Sequence, residues 1–120
     1  ILSFEQLEAA RWFEFLKKDG LIITNTQRLN PMPVITGAAE YPEGLVEKMK
    51  AAGARVIAED FLSAAEKAGS SKAVNIALLG CLSKYFDGIS EDKWNAAIDE
   101  VVPEKFRELN HKAFDNGRNI

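Results

Sequence analysis

One cysteine and one histidine are all the soft metal ligands this sequence offers, and that scarcity excludes more than any feature it possesses. An iron–sulfur cluster usually takes about four thiolates and a closed zinc site about four Cys or His ligands, so Cys81 and His111 can build neither. Cys81 has no intramolecular partner for a disulfide, which fits a reducing compartment. Its setting, Leu78-Leu79-Gly80-Cys81-Leu82, is apolar, whereas a reactive thiolate needs electropositive, partly exposed surroundings; the residue reads as an inert core thiol. His111, between Asn110 and Lys112 on a charged helix, reads as a surface histidine rather than a catalytic base.

Other absences narrow the partners. No apolar run approaches the ~20 residues that span a bilayer, and no charged segment followed by a hydrophobic one opens the chain. Fifteen Lys and Arg against eighteen Asp and Glu leave a net charge of -3, with no basic block to release counterions from phosphates. Membrane and nucleic acid are thereby disfavoured as partners, and the chain reads as cytoplasmic. No G-x-G-x-x-G occurs, so a dinucleotide fingerprint is missing. What is present is 120 residues, 47% of them hydrophobic and 28% charged, the mixture of one globular domain, residues 1–120, with a core that needs no staples.

The periodicities alternate between helix and strand. Ser3 and Gln6 form a capping-box pattern, and Ala9, Trp12, Phe13 and Leu16 recur at helical spacing, predicting a helix from Phe4 to Lys18. Leu21-Ile22-Ile23-Thr24 is a short β-branched run of the kind buried on both faces of a parallel sheet. A long irregular loop follows, with Val34-Ile35-Thr36 at most an edge strand and Pro42 at the first position of the next helix, which stops at Gly53. Arg55-Val56-Ile57-Ala58 is another strand. Asp60 then caps a helix closed by Gly69, residues 73–82 form an apolar helix, Ser90 starts a helix carrying Trp94, Ala97, Ile98 and Val101, and Pro103 starts a last one that Gly117 ends.

These elements predict an α/β fold, a truncated Rossmann-like open sheet with a helical C-terminal third. Two apolar strands and a possible edge strand cannot cover both faces and close both edges, so the chain is expected to be the later part of a longer open-sheet domain. An uncovered face or edge is expected to make such a fragment self-associate.

In open α/β sheets ligands bind beyond the carboxyl ends of the strands, which singles out Asn25 and Thr26 after the first strand. Both residue types equally serve turns that satisfy their own backbone. Asp60 is accounted for by its cap, and Gly69-Ser70-Ser71-Lys72 lacks the spacing of a phosphate-binding loop and reads as a helix stop and cap. Asn75 on the apolar helix needs a hydrogen-bond partner if buried, and is expected to pin a loop or a neighbouring subunit. Trp12, Phe13, Trp94, Phe106 and Phe114 read as core or interface packing. No catalytic and no metal-binding residue emerges.

Several of these features, in order, resemble one family: Glu5 with Arg11, the strand leading to Asn25-Thr26, the Pro31 to Pro33 loop, Tyr41-Pro42, Val74-Asn75-Ile76 with Leu79-Gly80, and Pro103-Glu104-Lys105-Phe106 through Leu109-Asn110, Lys112-Ala113-Phe114 and Gly117. Over nearly all 120 residues the chain is similar to the later two-thirds of the gamma-type subunits of 2-oxoacid:ferredoxin oxidoreductases, with the indolepyruvate branch nearest. The family's glycine-rich Gly-Gly-Gln-Gly segment has no counterpart here. The resemblance implies CoA-dependent oxidative decarboxylation of a 2-oxoacid, an arylpyruvate first, by an assembly that uses thiamine diphosphate, iron–sulfur clusters, coenzyme A and ferredoxin. None of these groups is expected on this chain; a larger catalytic subunit is the implied partner, with ferredoxin reached through the complex. Asn25, Thr26 and Asn75 are the candidate interface or site-lining residues. Pyruvate, 2-oxoglutarate and branched-chain oxoacids are alternative substrates, and a ligand-binding or purely structural interaction module is the alternative class.

Overall fold

The β-branched run at Leu21 becomes the middle strand of a three-stranded parallel sheet. The computed structural model describes residues 1–120 and places β1 at Leu2–Ser3, β2 at Leu21–Asn25 and β3 at Arg55–Glu59, in the order β1-β2-β3. β1 pairs in parallel with β2, Leu2 opposite Ile23 and Ser3 opposite Thr24. Ile22, Ile23 and Thr24 are all fully buried, so β2 is covered on both faces. The chain forms two compact units, Ile1–Ala58 and Glu59–Ile120.

In the first unit, helix α1 covers only Gln6–Arg11 and gives way to a 3-10 turn at Phe13–Phe15. Its cap is Glu5 rather than Ser3: the carboxylate accepts from Leu7 N at 2.8 Å and Glu8 N at 3.3 Å. Ser3 is taken up by β1, and its hydroxyl donates to Glu5 O at 2.6 Å. Shortening the helix turns Trp12 outward, 58% exposed, while Ala9 packs with Ile22 and Met49, and Phe13 and Leu16 lie against that core.

The expected edge strand at Val34 is instead a one-turn helix, α2, at Met32–Ile35. Proline costs nothing in a first helical turn, where the N–H has no partner to lose, and Pro31 O accepts from both Val34 N and Ile35 N. The third strand is β1, formed by the two residues Leu2–Ser3 just ahead of α1. Helix α3 runs Leu45–Ala51 and starts after Gly44, which adopts φ 68°, so Pro42 precedes the helix instead of opening it.

The second unit is helical: α4 at Phe61–Ala68, a 3-10 turn at Ser71–Ala73, α5 at Val74–Ser83, α6 at Glu91–Val101 and α7 at Glu104–Arg118. Asp60 caps α4 as expected, accepting from Ser63 N at 2.9 Å. Ala65, Ala73, Ile76, Ile98, Ala113 and Phe114 form the core. On α6 only Ile98 is buried, with Trp94 partly so, because the helix touches the core along one narrow stripe; Ala97 and Val101 face solvent.

Gly117 does not end the last helix. It lies inside α7, where a Cβ would collide with the carbonyl oxygen of Ala77 and lie 2.7 Å from Ala77 Cα. Reciprocally, a Cβ on Gly80 would collide with Phe114 O and sit 2.9 Å from Arg118 N. Two glycines thus bring the backbones of α5 and α7 into direct contact.

Candidate functional site

The carboxyl ends of β1 and β2 hold a cluster of buried polar side chains: Ser3, Glu5, Thr24 and Asn25, with Tyr41 beside them. Glu5, 3% exposed, uses one carboxylate oxygen on the α1 amides and the other on the hydroxyl of Tyr41, 36 residues away in the chain. Burial, then the hydrogen bond and charge of Glu5, push the Tyr41 phenol above its ordinary value, against the opposing pull of Arg28. The Arg28 guanidinium lies 3.8 Å from the centre of the Tyr41 ring, a cation–π stack. It also donates to Asn30 Oδ1 at 3.1 Å and Glu43 Oε1 at 3.0 Å.

Of the two residues singled out after β2, Asn25 is beneath the surface, 1% exposed, its amide 3.5 Å from Gln27 Oε1. Thr26 is exposed at the mouth of the same loop. The Glu5–Tyr41–Arg28 stack escaped sequence reasoning, since nothing local to either position announces a bond between residues so far apart. Glu5 and Tyr41 were visible only as residues carrying the family resemblance.

Asn75 belongs to the second unit and is exposed, not buried: α5 is apolar all round, but its first turn opens onto a groove. The groove, about 250 Å³, is floored by Val102, Pro103, Phe106 and Leu109 and rimmed by Lys72, Asn75 and Asn110. That is below the roughly 300–1,000 Å³ of typical small-molecule sites. Phe106 is therefore a half-exposed groove wall rather than a core residue. Ser70 spends its hydroxyl on Lys72 N at 3.2 Å, the stop-and-cap role.

His111 is partly buried between α6 and α7, Nδ1 2.9 Å from Asn95 Oδ1 and Nε2 2.6 Å from Asp99 Oδ1. Cys81 is fully buried, and burial raises its thiol above its ordinary value. The iron–sulfur chemistry implied by the resemblance does not fit these residues: one enclosed thiol cannot ligate a cluster, and no group of three or more His, Cys, Asp and Glu residues converges on a metal position. No helix is long and apolar enough to cross a membrane.

Comparison with known proteins decides the family. The sequence profile of pyruvate ferredoxin/flavodoxin oxidoreductases matches residues 1–120. The chain belongs to that family. Among relatives of this oxidoreductase family, the indolepyruvate oxidoreductase subunit IorB of Archaeoglobus fulgidus is 36% identical over 99% of the chain and 61% of its own length. The same subunit of Thermococcus kodakarensis is 36% identical over 98% of the chain and 60% of its own length. The chain thus spans about three-fifths of the relatives it matches. The gamma subunit of a keto/oxoacid ferredoxin oxidoreductase from Geobacter sulfurreducens shares the fold, with a TM-score of 0.71 at 23% identity, covering 97% of this chain and 57% of that one.

Proposed function

We propose that this chain is the later part of a gamma-type subunit of a 2-oxoacid:ferredoxin oxidoreductase, acting on an arylpyruvate such as indolepyruvate. The observation that carries this reading is the 36% identity to indolepyruvate oxidoreductase subunits over nearly the whole chain. In the reaction the oxoacid loses carbon dioxide, its acyl group passes to coenzyme A, and the electron pair passes to ferredoxin.

On this reading bond-breaking and electron flow take place on a larger partner subunit. Thiamine diphosphate and iron–sulfur clusters belong to that partner, and the assembly works in the cytoplasm. The donor set of this chain supports the division of labour, because its single cysteine is sealed in the core. What the chain supplies is scaffold and contact surface: Glu5 and Tyr41 fix the loop that follows Asn25 and Thr26, and Asn75 offers its amide at the rim of the α5–α7 groove.

Co-expression of the full-length subunit with its large subunit tests the proposal. Expected are a stable complex and ferredoxin reduction dependent on indolepyruvate and coenzyme A. Failure of the two subunits to associate, or turnover of the oxoacid unchanged by leaving this subunit out, would refute it. A panel including pyruvate, 2-oxoglutarate and branched-chain oxoacids identifies the acid, which matters because the family description itself names pyruvate.

A further inference from the structure

β1 lies at one end of the sheet order β1-β2-β3, and its outer edge is open. Ile1 spends its backbone on β2: its amino group donates to Leu21 O at 2.8 Å and its carbonyl accepts from Ile23 N at 2.9 Å. Backbone groups alternate in direction along a strand, so the N–H and C=O of Leu2 point away from β2. A pair of outward-facing groups of this kind is a template for a further strand.

Beside that edge runs a groove of about 430 Å³ bounded by Leu2, Phe4, Trp12 and Phe15. Phe4, Trp12 and Phe15 are each more than half exposed, and the Trp12 and Phe15 rings lie 5.5 Å apart. Glu8 is the one charged side chain lining the groove, and it is already paired with Arg11 at 2.5 Å. The surface therefore suits an apolar occupant that brings one backbone donor and one acceptor, and it offers no free charge to a polar ligand.

The unmatched length of the relatives supplies an occupant that is already attached. The chain spans 61% and 60% of the two indolepyruvate oxidoreductase subunits and 57% of the gamma subunit that shares its fold, so about two-fifths of each lies outside the match. On the reading proposed above, that length precedes Ile1 and is joined through it to β1 itself. A tethered segment competes at an effective concentration of about millimolar, ahead of any separate molecule.

We infer that the preceding part of the subunit adds a strand to the open edge of β1, bonding the N–H and C=O of Leu2, and seats apolar side chains in the Phe4–Trp12–Phe15 groove. This inference rests on the function proposed above in one respect, that the chain is the later part of a longer subunit. The face around β1 is then interior to the subunit and closed to the larger subunit, which docks elsewhere.

Hydrogen exchange on the full-length subunit alone, at a concentration where light scattering shows a monomer, tests the inference. The Leu2 amide is expected to exchange about a hundredfold or more slowly than an unpaired amide. Trp12→Ser with Phe15→Ser should speed that exchange about tenfold or more, whereas Trp12→Phe, which keeps an aromatic ring in the groove, should leave it nearly unchanged. Val101→Ser, at an exposed position of the second unit, should not alter it. A Leu2 amide that exchanges freely in the monomer overturns the inference. So does one protected only after the large subunit is added, which makes that subunit the occupant, or only as concentration drives a dimer, which makes it a second copy. Protection in the monomer combined with failure of the large subunit to associate refutes the proposed catalytic role and leaves the inference standing; association combined with a freely exchanging Leu2 amide does the reverse.

Discussion

Replacing Gly117 by alanine separates two accounts of the last helix. Were Gly117 a helix terminator, as its place near the chain end suggests, the added methyl would meet solvent and the change would be nearly silent. In the folded chain the methyl instead meets main-chain atoms of α5: it overlaps Ala77 O and comes within 2.5 Å of Ala77 C. Backbone cannot rotate away as a side chain can, so the helices must part. A gap of about 1 Å forfeits a quarter to a half of the dispersion energy of each atom pair across the seam. The seam includes fully buried Ala77, Ala113 and Phe114. Overpacking of this kind costs about 1–3 kcal/mol or more, partly offset by the ~1 kcal/mol that alanine gains over glycine within a helix. A net loss of about 2 kcal/mol or more is expected, a large share of the ~5–15 kcal/mol of a typical domain. Urea unfolding followed by far-ultraviolet circular dichroism should show the midpoint falling by about 1 M or more. Gly80→Ala should behave alike, and the double variant should cost less than the sum, because either methyl alone already parts the helices. A Gly117→Ala chain as stable as wild type would refute the backbone contact.

Tyr41→Phe leaves the Glu5 carboxylate short of a buried donor and should cost about 1–3 kcal/mol in the same unfolding experiment. Because the folded phenol is raised, its contribution is complete below the ordinary tyrosine value near 10 and is lost as pH climbs through the folded value. Wild type should therefore weaken in alkali more than Tyr41→Phe, and equal slopes would count against the buried bond. Asp60→Ala removes the α4 cap at a cost of about 1 kcal/mol. The Asp60 carboxyl is lowered chiefly by its hydrogen bonds to Ser63, so its contribution is present above the ordinary value and fades as pH falls through the folded one. A pH titration of stability for both chains checks the sign. Cys81 should ignore a thiol reagent in the native state and react at the rate of global unfolding; prompt labelling would show that the core is open. The 120-residue chain by itself should associate through exposed Phe4, Trp12 and Phe15, which light scattering detects and Trp12→Ser with Phe15→Ser should suppress.

Wherever a local signal was strong, it was legible. The β-branched run at Leu21–Thr24, the cap at Asp60, the helix stop at Gly69 and the apolar helix around Cys81 each depend on neighbours within a few residues. The misreadings have different causes. Ser3 lost its cap to Glu5 because a neighbouring strand claimed it, and Val34-Ile35 became helical because the prolines ahead of it suit a first turn.

From sequence alone came the α/β pattern, the exclusion of a cluster or zinc site by one cysteine and one histidine, and the family resemblance. These are properties of composition, periodicity and order, which a linear chain displays in full. Only the tertiary structure decided that Gly80 and Gly117 join two helices, that Glu5 closes on Tyr41, that Asn25 lies beneath Thr26, and that Asn75 faces outward. Each of those outcomes is a contact or an exposure, fixed by which distant residues the fold brings near and which it leaves uncovered.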